Sequence, residues 1–139
     1  MTRAVLLVED DLDDVELTIE GFRRERFARE VVVARDGVEA LEMLERSRAR
    51  DGLPEMIVAD LKMPRMGGLE LLRRLKGDDR LKAIPVVILS SSCREEDESR
   101  ALGAAGYLLK PMEMAGYREI VRTLNALLST PASKKYNSA

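Results

Sequence analysis

Six of the eight residues in 9–16 are acidic, starting with Glu9, Asp10 and Asp11 directly after the apolar run 4–8. Another carboxylate, Asp60, follows the apolar run 56–59, the hydroxyl triplet Ser90, Ser91 and Ser92 follows 86–89, and Lys110-Pro111 follows 107–109. If those run ends converge, carboxylates, a hydroxyl and an ammonium share one pocket. Crowded carboxylates repel one another, so either some of them hold protons or a cation neutralises them. Mg²⁺, or Mn²⁺ as an equally hard alternative, suits such a pocket, because it takes one or a few carboxylates and completes its shell with waters and phosphate oxygens. A carboxylate beside such an ion is a recognised covalent nucleophile that forms an aspartyl-phosphate, with Lys110 placed to pair with one phosphoryl oxygen and Ser90 to donate to another. The chain contains no histidine. That excludes a Ser-His-Asp triad, a Cys-His dyad, a His-ligated zinc and phosphohistidine chemistry on this chain.

The elements that must position these residues are legible from hydrophobic spacing. The apolar runs 4–8, 31–34, 56–59, 86–89 and 107–109 are short, rich in Val, Ile and Leu, and lack polar alternation. They read as strands of a parallel sheet buried on both faces. Between them lie helical patterns: Val15, Ile19 and Phe22; Ala40, Leu41 and Leu44; Leu69, Leu72 and Leu75; a weaker, charged stretch over 94–102; and Tyr117, Ile120, Val121, Leu124 and Leu128, a single apolar stripe. Turn signals at Asp36-Gly37, Gly67-Gly68, Gly77-Asp78 and Lys110-Pro111 fall at the junctions. Strands alternating with helices imply right-handed crossovers and a three-layer α/β domain, whose ligands bind outside the carboxyl ends of the strands. Residues 1–128 are expected to form this domain, and 129–139, rich in Ser, Thr, Pro, Ala and Lys, a flexible tail.

The bulk properties narrow the class further. With 139 residues, one hydrophobic core suffices. A net charge of −2 and a pI near 5.4 give no bulk attraction to nucleic acid or to an anionic membrane. Only 4% of residues are aromatic, which argues against a base-stacking surface. The lone Cys93 cannot form an internal disulfide and is expected to be inert. No apolar run reaches the roughly 20 residues of a membrane helix, and the N-terminus is too brief for a secretory signal, so the chain reads as cytoplasmic.

On these residues the chain resembles the receiver domain of two-component response regulators, including the chemotaxis type, over nearly its whole length. Leu7-Val8-Glu9-Asp10-Asp11 looks like the family's acidic pair, carried by Glu9 and Asp10. Val58-Ala59-Asp60-Leu61-Lys62-Met63-Pro64 with Gly67-Gly68 looks like the phosphoacceptor loop. Pro85 to Ser90 and Tyr107-Leu108-Leu109-Lys110-Pro111 match the fourth and fifth strands. The resemblance implies a flavodoxin-like, doubly wound five-stranded parallel sheet of order 2-1-3-4-5 with five helices, an order general to this fold. It implies Asp60 as phosphoacceptor, a metal held by Glu9, Asp10, Asp60 and the backbone carbonyl of Lys62, and Lys110, Ser90 and the Ser91 amide at the phosphoryl oxygens. It also implies a switch in which Ser90 moves toward the phosphoryl group and Tyr107 turns into the space vacated. The phosphoryl donor would be a sensor histidine kinase.

Glu9 to Leu17 and the long segment before the fourth strand look like a subgroup paired with phytochrome-type kinases. The short tail after Leu128 implies a stand-alone regulator that signals through protein contacts and is no turnover enzyme. Such regulators commonly dimerise, and the stripe from Tyr117 to Leu128 offers a surface for it. Asp13, Asp14 and Glu16 read as helix-capping or dipole partners and Asp11 as a water-mediated contributor. Met63, Met66, Met112 and Met114 read as packing. Lys62 stands at a position that tunes phosphoryl lifetime in the family. A dehalogenase-type phosphatase would need an acid at Lys62, and a flavin carrier would need a hydroxyl- or glycine-rich cradle where Glu9-Asp10-Asp11 stands. The remaining alternative is a non-phosphorylated pseudo-receiver acting as a scaffold.

Overall fold

The computed structural model describes residues 4–49 and 52–129. Strands β1 (Ala4–Val8), β2 (Glu30–Ala34), β3 (Met56–Ala59), β4 (Val86–Ser90) and β5 (Gly106–Leu109) alternate with helices α1 (Leu12–Arg24), α2 (Gly37–Ala49), α3 (Gly68–Lys76), α4 (Glu96–Ala101) and α5 (Tyr117–Leu128), the last entered through a 3₁₀ turn at Met114–Gly116. All pairings are parallel and the order is β2-β1-β3-β4-β5, the flavodoxin-like arrangement. The chain therefore moves from β1 out to β2 and then crosses back over β1 to β3, and the ends of β1 and β3 lie side by side at that reversal.

The pleat sorts the strand residues into two cores. Leu6, Val8, Ile57, Ala59, Val86 and Ile88 face one way and pack with Ala40 and Leu44 of α2 and Leu71, Leu72 and Leu75 of α3. Val5, Leu7, Met56, Val58, Val87 and Leu89 face the other and pack with Phe22 of α1 and Tyr117, Ile120, Val121 and Leu124 of α5. Each core thus closes one side of the sheet, as the period of two requires.

Several details differ from the sequence reading. Burial on both faces holds for β1, β3 and β4, but β2 and β5 are edges and are partly exposed. On α1 the inward face is Val15, Thr18, Gly21 and Phe22, while Ile19 is 39% exposed. The reason is the ring of Tyr117: a Cβ at Gly21 would stand 2.3 Å from its Cγ, so only a glycine lets α5 approach α1 this closely. Thr18 Oγ1 and Tyr117 Oη share a buried hydrogen bond at the same crossing. The α5 stripe is used inside the second core, so it is not the docking surface that its strength suggested. Met63, Met66 and Met114 pack against the cores, whereas Met112 is fully exposed. Of the tail expected over 129–139, only Ser129 lies within the described residues, bonding back to the Asn125 carbonyl. No helix of the described residues is long and apolar enough to cross a membrane.

Candidate functional site

The parallel ladder continues one rung beyond the strands and fixes the key residues by their main chain. The Glu9 amide donates to the Ala34 carbonyl at 2.9 Å, the Asp60 amide to Val8 at 3.0 Å, and the Lys110 amide to Ser90 at 2.7 Å. Each side chain therefore leaves the sheet at its carboxyl edge, where the strand order reverses. The loop after Asp60 is folded tightly against the acceptor. The Gly68 amide donates to the Leu61 carbonyl at 2.9 Å, and a Cβ at Gly68 would lie 2.3 Å from the Asp60 carbonyl oxygen.

Lys110 lies at the centre of the group. Its Nζ donates to Glu9 Oε1 at 2.8 Å, to Asp14 Oδ2 at 2.7 Å and to Asp60 Oδ2 at 3.0 Å, which uses all three ammonium hydrogens. Burial works against its charge, but the hydrogen bonds it donates to Asp14, Glu9 and Asp60 prevail and hold its pKa above the ordinary lysine value. Glu9 is 4% exposed and also accepts from the Asp11 amide at 3.1 Å. Burial pushes its carboxyl up, against the lowering influence of Lys110 and that amide. Asp60 Oδ1 accepts from the Leu61 amide at 2.7 Å, leaving Oδ2 toward Lys110.

Asp10 is exposed, and one oxygen each from Glu9, Asp10 and Asp60 lie within 4.8 Å of one another. With Asp14 these are four carboxylates, of which Glu9, Asp14 and Asp60 share the single Lys110 ammonium, so that ionised carboxylates outnumber it. Three hard oxygens from three residues, with more negative charge than Lys110 offsets, suit a small divalent cation such as Mg²⁺ or Mn²⁺. The Lys62 side chain is exposed.

The sequence candidates on β4 and β5 form a second, adjoining group. Ser90 is 5% exposed and its Oγ accepts from the Ser92 amide at 3.3 Å, while Ser91 is exposed. Tyr107 lies inward at 8% exposure, its hydroxyl donating to the Ser92 carbonyl. Ser92 thus joins the two switch candidates through its main chain.

Two assignments change. Asp11, read as a water-mediated contributor, is the N-cap of α1, its Oδ1 accepting from the amides of Asp13 at 2.9 Å and Asp14 at 3.2 Å. Asp14, read as a cap or dipole partner, instead reaches Lys110. The signal for it was present in the helical period: Asp14 precedes Thr18 and Gly21 at i+4 and i+7, on the inward face.

The fold and the site together define a doubly wound α/β domain with a carboxylate cluster and one lysine at its switch-point edge. The chain belongs to the response regulator receiver domain family, whose model matches residues 5–122. Among solved structures it is similar to the phosphorylated cyanobacterial phytochrome response regulator RcpA, with 34% identity, a TM-score of 0.80, and coverage of 95% of this chain and 98% of that one. The bacteriophytochrome response regulator AtBRR shows 40% identity and a TM-score of 0.75, over 90% of this chain and 94% of its own. The Mn²⁺-bound form of response regulator Rcp1 shows 30% identity and a TM-score of 0.77, over 94% and 97%. Receiver domains bind Mg²⁺ or Mn²⁺ at an acidic pocket, and this chain has the corresponding cluster at Glu9, Asp10 and Asp60.

Proposed function

We propose that this protein, through a receiver spanning 1–128, accepts a phosphoryl group on Asp60 from a sensor histidine kinase in the cytoplasm and signals by phosphorylation-dependent protein contacts. The observation that carries this reading is the Asp60 carboxylate itself, 3.0 Å from the Lys110 ammonium and clustered with the oxygens of Glu9 and Asp10. An Asp60 oxygen attacks the phosphorus of a phosphohistidine on the kinase. The P–N bond breaks as the O–P bond forms, and the donor ring, protonated beforehand on its other nitrogen, leaves as neutral imidazole.

Glu9, Asp10, Asp60 and the Lys62 carbonyl would hold Mg²⁺ or Mn²⁺, which when bound offsets charge on the carboxylates and the phosphoryl oxygens. Lys110 is already held at Asp60 and pairs with one phosphoryl oxygen, Ser90 Oγ and the Ser91 amide serve others, and Ser92 passes a shift of Ser90 to Tyr107. Moving a two-state equilibrium from 1:99 to 99:1 takes about 5.5 kcal/mol. A few charge-assisted hydrogen bonds of about 1.5–3 kcal/mol each reach that figure.

The similarity to RcpA and AtBRR, both phytochrome response regulators, supports a phytochrome-type kinase as the donor. The acceptor, the carboxylates and the lysine are all in place, which favours a working receiver over a pseudo-receiver scaffold. The test is incubation with acetyl phosphate or beryllofluoride, with and without Mg²⁺, read by intact mass and by spectral change. Mg²⁺-dependent modification that disappears in Asp60→Asn is expected. Modification that is absent, or that persists in Asp60→Asn, refutes the reading.

A further inference from the structure

The loop after Asp60 contains a residue in a conformation its type disfavours. Arg65 has φ of 61°, in the left-handed region that residues other than glycine seldom adopt. The Met66 amide donates to the Pro64 carbonyl at 2.6 Å and closes a tight three-residue turn around it. Glycine would occupy this position without strain, yet arginine stands there, and its side chain is engaged. Nε donates to Asp36 Oδ2 at 2.8 Å and Nη2 to Asp36 Oδ1 at 3.1 Å, a two-pronged fork.

Asp36 is 4% exposed and also caps α2, accepting from the Glu39 amide at 2.9 Å. The Arg65 guanidinium and that amide hold its carboxyl below the ordinary aspartate value. A main-chain strut runs alongside, the Gly37 amide donating to the Met66 carbonyl at 2.9 Å. A Cβ at Gly37 would come within 2.7 Å of Met66 Cγ, so the two segments are in direct contact. The acceptor loop is therefore pinned at its foot by Gly68 on Leu61 and at its tip by Arg65 on Asp36.

We propose that the Arg65–Asp36 fork is a positioning device for the acceptor loop. It holds the strained turn, so that the Leu61 amide on Asp60 and the Lys62 carbonyl stand in working geometry before a divalent cation binds. This rests on the reading of Asp60 as phosphoacceptor. Asp36 and Arg65 touch no reacting atom; they act through the backbone between Asp60 and Gly68. The Arg65 side chain is 56% exposed, so its replacement removes the fork without opening the core.

The test compares Arg65→Ala, Arg65→Gly and Arg65→Lys with the wild type in the full-length chain. Mg²⁺ affinity is measured by calorimetry, melting in EDTA, and phosphorylation by acetyl phosphate across Mg²⁺ concentrations. Loss of a supporting contact behind metal ligands typically weakens metal affinity by about 10-fold or more, and that is expected for Arg65→Ala and Arg65→Gly. Phosphorylation should slow in proportion at low Mg²⁺ and recover at saturating Mg²⁺. Arg65→Lys, which keeps the charge but not the fork, should fall between. Arg65→Gly should melt at or above Arg65→Ala, because glycine tolerates this φ.

Mg²⁺ affinity unchanged in Arg65→Ala and Arg65→Gly overturns the proposal, whether or not melting falls, and leaves Asp60 as acceptor untouched. A wild type that neither binds Mg²⁺ nor takes up phosphoryl groups overturns both.

Discussion

Asp10 is the member of the carboxylate cluster whose removal should make the protein more stable. Its side chain holds no hydrogen bond or ion pair among the described residues, while one of its oxygens lies within 4.8 Å of oxygens of both Glu9 and Asp60. At 4.8 Å two unit charges repel by about 0.9 kcal/mol in water and about 3.5 kcal/mol at an effective dielectric near 20. Asp10 is exposed, so the lower figure governs, and with all three carboxylates ionised the two pairs together cost about 1–2 kcal/mol at low salt, less at a pH where Glu9 keeps its proton. Asp10→Asn keeps the shape and removes the charge without breaking a contact. A gain of about 1–2 kcal/mol corresponds to a rise of about 4–8 °C in a domain of this size.

The assay is thermal melting in EDTA at low salt, at high salt and with millimolar MgCl₂. Salt should narrow the gap by screening the wild-type repulsion. Mg²⁺ at ten times its dissociation constant adds about 1.4 kcal/mol to the wild type, most of which the variant should lose with one ligand gone. Equal or lower melting of Asp10→Asn in EDTA at low salt would show that the cluster is not repulsive and that the electrostatic account of the site is wrong.

Asp14→Asn should have the opposite sign, because Asp14 makes the shortest of the Lys110 contacts at 2.7 Å; a loss of about 1 kcal/mol is expected in melting, small because Asp14 is 35% exposed, and a gain would refute it. Glu9 retains its proton in the folded state above the ordinary 4.5 at which the unfolded chain loses it, so its contribution is fully present below 4.5 and is lost as pH rises through the raised value. Urea midpoints should therefore fall as pH rises from 4.5, and Glu9→Gln should flatten that fall; a slope unchanged by Glu9→Gln counts against the burial of Glu9 as its cause. Gly21→Ala drives a methyl into the Tyr117 ring and should cost about 1–3 kcal/mol, measured by denaturant unfolding, with unchanged stability refuting the tight α1–α5 crossing.

Most of the architecture was legible because strand and helix periods are backbone properties. The runs at β1 and β3 coincide with the observed strands, and the other three differ by a residue at one end. Glu9, Asp60 and Lys110 were legible for a related reason: each follows a strand directly, and the ladder fixes what stands one residue past its end. What escaped depended on two segments meeting. Asp14 looked like any acid in a first helical turn until β5 brought Lys110 over it, and Ile19 looked apolar enough to be inside until Tyr117 claimed that face. Arg65 gave no signal, since neither its positive φ nor the proximity of Asp36 is written in local spacing.

The salt bridge between Glu9 and Lys110 joins residues 101 positions apart, and the one between Asp60 and Lys110 joins residues 50 apart. Contacts of such long range form late in folding, after the loop-closure entropy of the intervening chain has been overcome. During synthesis the acidic residues therefore leave the ribosome well before the one ammonium that gathers them. An incomplete chain has carboxylates that repel and no lysine to hold them together, so it should neither take up a phosphoryl group nor mimic the signal. Under the proposed function, phosphoryl competence would thus report that β5 has docked and that the whole sheet is complete.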